Sequence, residues 1–275
     1  MRVYMACLWL IVCICHCTTL GQTSNEREGK KPAEEEIKQW PLPQQAAYRA
    51  ATYMAELPNF LVTEIVSRST RVAHQKDWQA QDKLEIDLAY GGKKGETYTL
   101  KKMNDRPTSQ SFEKVFGATS SGEFGGFLAG LVDPHSQAQF KPVTNEVFRG
   151  RKTVLFEFRI LKANSNYLLT EKESRRQVKT GLAGTVWVDT ETARMLRLEM
   201  SVEDVQPGFP LTMAEHAVEY DWVTIAGKKY WMPISAEFIV GSDTTKFYAR
   251  NVTEFKNYRV FETEVKIVEE KSSPK

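Results

Sequence analysis

From Asn59 onward, the apolar residues of this 275-residue chain recur at every second position almost to its end. That period sends successive side chains to opposite faces of a strand. Segments 60–71, 83–91, 95–103, 137–149 and 153–162 are rich in Val, Ile, Thr, Phe and Tyr and are bounded by Gly, Asn, Lys or Asp. Phe156, Phe158 and Ile160 alternate with Glu157 and Arg159, giving one apolar face and one wet face. The clearest hairpin is Gly184 to Met200, with turn chemistry at Asp189-Thr190-Glu191-Thr192. A second pairs roughly 214–225 with 229–240 across Ala226-Gly227, and a third adds 244–256. A last strand is expected from Arg259 to Val268. Ten to twelve strands without crossover helices predict a large antiparallel meander sheet.

Two segments keep a helical period. Pro43 to Glu56 places Ala46, Ala47, Ala50, Tyr53 and Met54 on one stripe, with Pro43 at the first turn and Pro58 as the stop. Ser120 to Leu131 places Phe124, Phe127, Leu128 and Leu131 at helical spacing, with Ser121 as the expected N-cap. Gly122, Gly126 and Gly130 recur four apart beside them. Each glycine inside a helix costs about 1 kcal/mol relative to alanine, so the strip needs a reason. It either lets the helix lie close on the sheet or marks a mobile lid whose phenylalanines plug a cavity. A phosphate cradle has no P-loop spacing to support it.

The N-terminus sets the compartment. Arg2 is followed by an apolar run from Met5 to Cys15 and a small, polar stretch, the pattern of a secretory signal peptide cut near Gly21. An 11-residue apolar run reaches about 16 Å as a helix, short of the ~30 Å of a bilayer core. All four cysteines lie within the first 17 residues, so a mature chain from residue 22 has no thiol for disulfides, zinc or nucleophilic catalysis. The alternative keeps Cys17 as a lipid-bearing first residue. The expected organisation is then a signal peptide at 1–21, a disordered segment at 22–36, one domain at 37–268 and a charged tail at 269–275.

Catalytic motifs are missing. His74, His135 and His216 have no His or Cys neighbour at metal-binding spacing, and no nucleophile elbow or zinc helix occurs. No cofactor or metal is expected. The i, i+2 carboxylate pairs Glu85/Asp87 and Glu219/Asp221 read as the wet side of strands. A mature balance of 36 Lys+Arg against 35 Asp+Glu argues against a nucleic-acid binder, which would show a basic face or run. Asn251-Val252-Thr253 matches a glycosylation sequon.

The run Gly184-Thr-Val-Trp-Val-Asp-Thr-Glu-Thr-Ala-Arg-Met-Leu-Arg-Leu198 resembles the Trp-bearing hairpin of outer-membrane lipoprotein-sorting-type sequences. Tyr220-Asp221-Trp222 and Tyr230-Trp231-Met232-Pro233 are similar to the strand pair that follows it there. With the leader, the early helix and the inserted helix, the chain resembles the LolA-like fold, shared with the N-terminal domain of RseB-type envelope regulators. It also looks like exported proteins of Acidobacteria-type genomes over nearly its whole length.

This resemblance implies a mainly β, unclosed half-barrel whose concave apolar face holds acyl chains under a helical lid, without catalysis. On that reading Phe156, Phe158, Val186, Val188, Leu196, Leu198, Tyr220 and Trp222 line the apolar face, and Phe124, Phe127 and Leu128 form the lid. Alternation does not say which face is concave, so the same residues could pack beneath the helices instead. Arg68 and Arg71 are the candidates for a carrier's ligand-gating arginine. The expected function is a periplasmic, non-catalytic protein that binds a lipid or acylated protein. The alternatives are a sensor of a membrane-anchored protein partner and, third, an exported hydrolase.

Overall fold

The structure, a computed structural model, describes residues 11–13, 31–72, 75–92, 95–171 and 174–260. The rest of the expected leader, residues 22–30, His74, the strand end at 261–268 and the tail at 269–275 lie outside the described residues.

Strand β1 (Ile11–Cys13) and helices α1 (Glu34–Ile37) and α2 (Leu42–Glu56) come first. Strands β2 (Phe60–Val72), β3 (Gln79–Tyr90), β4 (Glu96–Met103) and β5 (Arg106–Pro107) follow. Helix α3 (Gly126–Val132) precedes β6 (Gln139–Phe148), β7 (Arg151–Ile160), β8 (Leu168–Glu171) and β9 (Arg176–Lys179). The chain continues through β10 (Gly181–Asp189), β11 (Met195–Glu203), β12 (Met213–Ile225), β13 (Lys228–Ser242) and β14 (Phe247–Val260). Helix α1 falls at the end of the segment read as disordered.

Eleven strands form one antiparallel sheet, ordered β5-β4-β3-β2-β14-β13-β12-β11-β10-β7-β6. Its edges, β5 and β6, do not pair with each other, so the sheet is unclosed. Adjacent strands rotate by about 20–25° in one sense, so a sheet this broad must curl. The expected half-barrel with flanking helices is the observed fold. Strands β1, β8 and β9 form a separate small sheet. One join is not local: β2 pairs with β14, from Val72 opposite Phe247 to Phe60 opposite Val260.

Register explains why one face is a core. Phe156, Val186, Leu198, Val218, Ala236, Thr253, Val66, Leu84 and Met103 lie opposite one another in turn, a single row across nine strands. Seven of these nine are buried apolar residues. Each fully buried large side chain contributes roughly 1.5–3 kcal/mol. The next row out contains Trp187, Arg197 and Glu219. There the charges pair along the solvent face, as Arg197 does with Glu219 and Glu199, and Arg250 with Glu237.

Helix α2 lays Ala46, Ala50 and Tyr53 on the inner face, and the Tyr53 ring meets Tyr220 edge-on at 6.1 Å. Met54, expected on that stripe, is 41% exposed, with its side chain lying against Gly125. Segment 104–121 covers a second apolar cluster of Val66, Leu84, Ile86, Leu100 and Val115. Arg68 holds the segment down: its guanidinium is bidentate to Asp82 at 2.6 and 2.5 Å and also donates to the Phe116 carbonyl.

The β10–β11 hairpin turns on Asp189. Its carboxylate accepts the Glu191 and Thr192 amides at 3.3 Å each and the Thr192 hydroxyl at 2.5 Å.

Gly184 lies on the inner row between Phe158 and Met200. A Cβ there would run into the Glu199 carbonyl and stand 2.8 Å from the Phe158 ring. Gly184→Ala should lower the free energy of urea unfolding by about 1–3 kcal/mol. Gly130→Ala has open space around the new methyl group and should raise it by roughly 0.5–1 kcal/mol. Equal effects at the two positions would contradict this packing.

Candidate functional site

Helix α3 does not seal the inner face. Between it and strands β7, β10 and β11 lies a cavity of about 190 Å3. Phe127, Leu131, Phe158, Ile160, Leu182, Leu198 and Met200 supply apolar walls. Asp133, Ser136, Asn164, Ser165, Asn166 and Tyr167 supply polar groups. The Asn164 amide donates to Gln137 Oε1 at 3.0 Å, joining the loop after α3 to the loop after β7.

The glycine strip has a different explanation from close packing. Gly126 and Gly130 border the cavity, and a Cβ on either would meet nothing within 4 Å. Only Gly122 is tightly occupied: its φ is +112°, and the Phe127 ring stands 2.9 Å from where its Cβ would be. The helix also begins later than the spacing implied. Ser121 is not its N-cap; α3 starts at Gly126, after Gly125 in a left-handed conformation.

Of the residues read as the apolar site, Phe158 and Leu198 line this cavity together with Phe127 from the expected lid. Phe156, Val186, Val188, Leu196 and Tyr220 are buried in the same continuous core. The Tyr220 hydroxyl donates to the Glu123 carbonyl at 3.0 Å, tying the turn before α3 to the sheet. Trp222, expected on the apolar face, does not line this cavity; it is 39% exposed, 5.3 Å from Trp231 and beneath the Arg194 guanidinium at 4.9 Å. Phe124 packs at 5.2 Å on both Phe60 and Phe255. Leu128 is buried beside Tyr53, Met195 and Trp231.

Neither candidate arginine reaches the cavity. Arg68 is spent on Asp82 and Phe116, and Arg71 stacks on Trp78 and Tyr248 at 4.7 and 5.3 Å. The two carboxylate pairs are neutralised on the wet face: Glu85 by Lys102, and Glu219 and Asp221 by Arg149. Asn251 of the sequon is buried and donates to the Ala118 carbonyl at 2.8 Å, which leaves its amide unavailable in the folded chain.

A second concavity, about 580 Å3, lies where the β11–β12 and β13–β14 connections meet. Val202, Val205, Pro207, Phe209, Leu211 and Phe247 give it an apolar lining. Among the described residues, no three His, Cys, Asp or Glu side chains are grouped to hold a metal ion.

Two buried acid–base features escaped sequence reading. His216 is stacked on Phe238 at 4.5 Å and tilted against Phe127 at 4.8 Å, and its Nε2 lies 2.7 Å from the Tyr167 hydroxyl. Burial holds this imidazole down at about 3. On β2 and the turn before α3, Glu64 and Glu123 face a void of about 30 Å3. Burial first, then the neighbouring Glu123, pushes Glu64 well above the usual carboxylate range. Burial raises Glu123 to about 7 against a hydrogen bond from Ser120 at 2.6 Å. Alternation along β2 was the available signal, since Glu64 shares the inward parity of Phe60, Val62 and Val66.

These groups tilt stability in opposite directions. Folded His216 refuses the proton that the unfolded chain takes up near 6.5, so its contribution is complete above pH 6.5 and is lost as pH falls toward 3. Relative to His216→Phe, the wild type should lose about 1.4 kcal/mol per pH unit in that window. Folded Glu123 keeps a proton that the unfolded chain releases near 4.5, so its contribution is complete below pH 4.5 and is lost as pH rises through 7. Relative to Glu123→Gln, the wild type should lose about 3 kcal/mol between pH 4.5 and 7. Urea titrations at stepped pH check both, and parallel curves for variant and wild type would refute either assignment.

The chain matches no protein-family profile and no curated protein. Solved structures similar to it include a DUF1329 family protein from Desulfovibrio piger, 14% identical with a TM-score of 0.36, over 78% of this chain and 92% of that one. A domain described as an outer membrane lipoprotein-sorting protein, from Vibrio parahaemolyticus, is 12% identical with a TM-score of 0.34, over 82% and 93%. The Mycobacterium tuberculosis lipoprotein LppX is 8% identical with a TM-score of 0.28, over 81% and 95%. Scores this low carry no argument about function, which has to come from the surfaces of the sheet itself.

Proposed function

We propose that this chain is a non-catalytic binding protein of the cell envelope. It holds the apolar chain of a lipid, or of a lipid-anchored partner, between α3 and strands β7, β10 and β11. The observation that carries this reading is the cavity itself, with apolar walls from three strands, polar groups at the loops and a seven-residue helix above. Walls of that kind favour a hydrocarbon guest, since each buried methylene gives about 0.8 kcal/mol. The 190 Å3 available is more than the roughly 150 Å3 that accepts benzene, and less than the ~300–1,000 Å3 of typical ligand sites. The guest therefore enters by the end of its chain, and deeper insertion moves α3 outward.

Helix α3 is suited to such movement. It is short, two of its glycines border open space, and its leading turn is held by the Tyr220–Glu123 hydrogen bond and by Phe127 seated against Gly122. The envelope assignment rests on the leader pattern at residues 1–21.

Native mass spectrometry of protein purified from its own envelope should show a lipid-bound species. Gly130→Leu, which fills the cavity from the helix side, should weaken binding of a fluorescent fatty acid by at least about tenfold while the β-sheet circular dichroism is kept. That factor corresponds to roughly two methylenes of lost burial. A spectrum of unliganded protein alone, or unchanged affinity in the variant, would sink the proposal.

A further inference from the structure

Four buried side-chain polar atoms have no hydrogen-bond partner among the described residues: Arg49 Nε, Tyr53 Oη, Trp231 Nε1 and Thr180 Oγ1. Three of the four belong to residues lining one void of about 10 Å3, whose wall also includes Arg194, Leu128 and Met195. Buried polar groups in folded proteins nearly always find partners, so three orphans on residues that line one void call for an occupant.

The chemistry of the wall says which kind. A guanidinium Nε–H and an indole N–H can only donate, and a phenol can donate as well as accept. Tyr53 and Trp231 are almost completely buried. Two guanidinium groups border the void, and each gives a nitrogen to a carboxylate at the protein surface. Arg49 pairs with Glu34, and Arg194 pairs with Glu56 at 2.9 Å. Those carboxylates are 49% and 42% exposed, so water screens much of the compensation they offer. The Arg151 guanidinium, itself paired with Asp189, lies 5.7 Å from the Trp231 ring centre.

A water molecule could accept from two of the donors but would bring two hydrogens of its own. The phenol oxygen is the one side-chain oxygen among the wall residues. An anion accepts from all three donors and brings no hydrogen. The volume admits a water-sized or monatomic occupant and excludes phosphate or sulfate. We propose that the void is a binding site for a single monatomic anion of chloride's class. Such an anion links α2, through Arg49 and Tyr53, to Trp231 on β13 and to Arg194 just before β11.

Bromide tests this directly, because it scatters anomalously and water does not. Crystals grown in sodium bromide should show an anomalous peak within hydrogen-bond reach of Tyr53 Oη and Trp231 Nε1. In solution, chloride should raise the melting temperature relative to gluconate at equal ionic strength, and Tyr53→Phe and Trp231→Phe should each shrink that rise. Both variants keep an aromatic ring in the core. Density at that point without anomalous signal would identify a water and overturn the proposal. So would a chloride-dependent shift of the same size in the wild type and both variants.

Discussion

Everything in this molecule depends on one inward-facing apolar surface that crosses nine of the sheet's eleven strands. Because each strand alternates, a single register fixes the facing of every side chain, and one row such as Phe156–Val186–Leu198–Val218–Ala236 continues unbroken from the strand beside the edge to the centre of the sheet. A surface of that breadth has to be covered, and this chain has little to cover it with. Helix α2 supplies Ala46, Ala50 and Tyr53, segment 104–121 covers the β2–β4 end, and α3 supplies seven residues. The cavity beneath α3 is what this cover leaves uncovered. It follows from the mismatch between sheet area and helix length.

Most of the sheet was legible because alternation is a local signal with few competitors. The Gly184–Met200 hairpin, the turn at Ala226-Gly227 and the strand bounds near 60, 96 and 153 lie within a few residues of where spacing puts them. The pairing of β2 with β14 was not legible, since nothing in either strand's own pattern names a partner so distant. The start of α3 was misread because Phe124 keeps helical spacing with Phe127 and Leu128, although it belongs to the turn before the helix. Its phase is set by contact with Phe60 and Phe255. The glycines four apart invited a close-packing explanation that only coordinates could remove, because space around a missing Cβ is a tertiary property.

The site was legible in part for a related reason. Parity identified Phe158 and Leu198 as inward, but it identified Val186 and Val188 equally well, and only α3 separates cavity wall from packed core. The buried polar groups were the least visible. Glu64 and His216 lie on strands where charged and polar residues mostly face water, and their inward parity could have singled them out. Tyr53 and Trp231 look like ordinary core aromatics, yet both line one void and both carry a buried heteroatom without a partner among the described residues. The inner face is thus an oily layer with a few polar positions, and several of these are where α2, or the turn before α3, is fastened to the sheet.

The meeting of the first and last long strands at the middle of the sheet has a consequence for biogenesis. A chain delivered from its amino end presents β2 to β5 well before β14 exists to join them to the rest. Until β14 arrives, the two parts of the sheet wait with open flanks, and the loop to be closed between them runs from β2 to β14. Assembly is therefore a late, cooperative event of high contact order. A sheet built this way commits to its shape only once β14 has emerged.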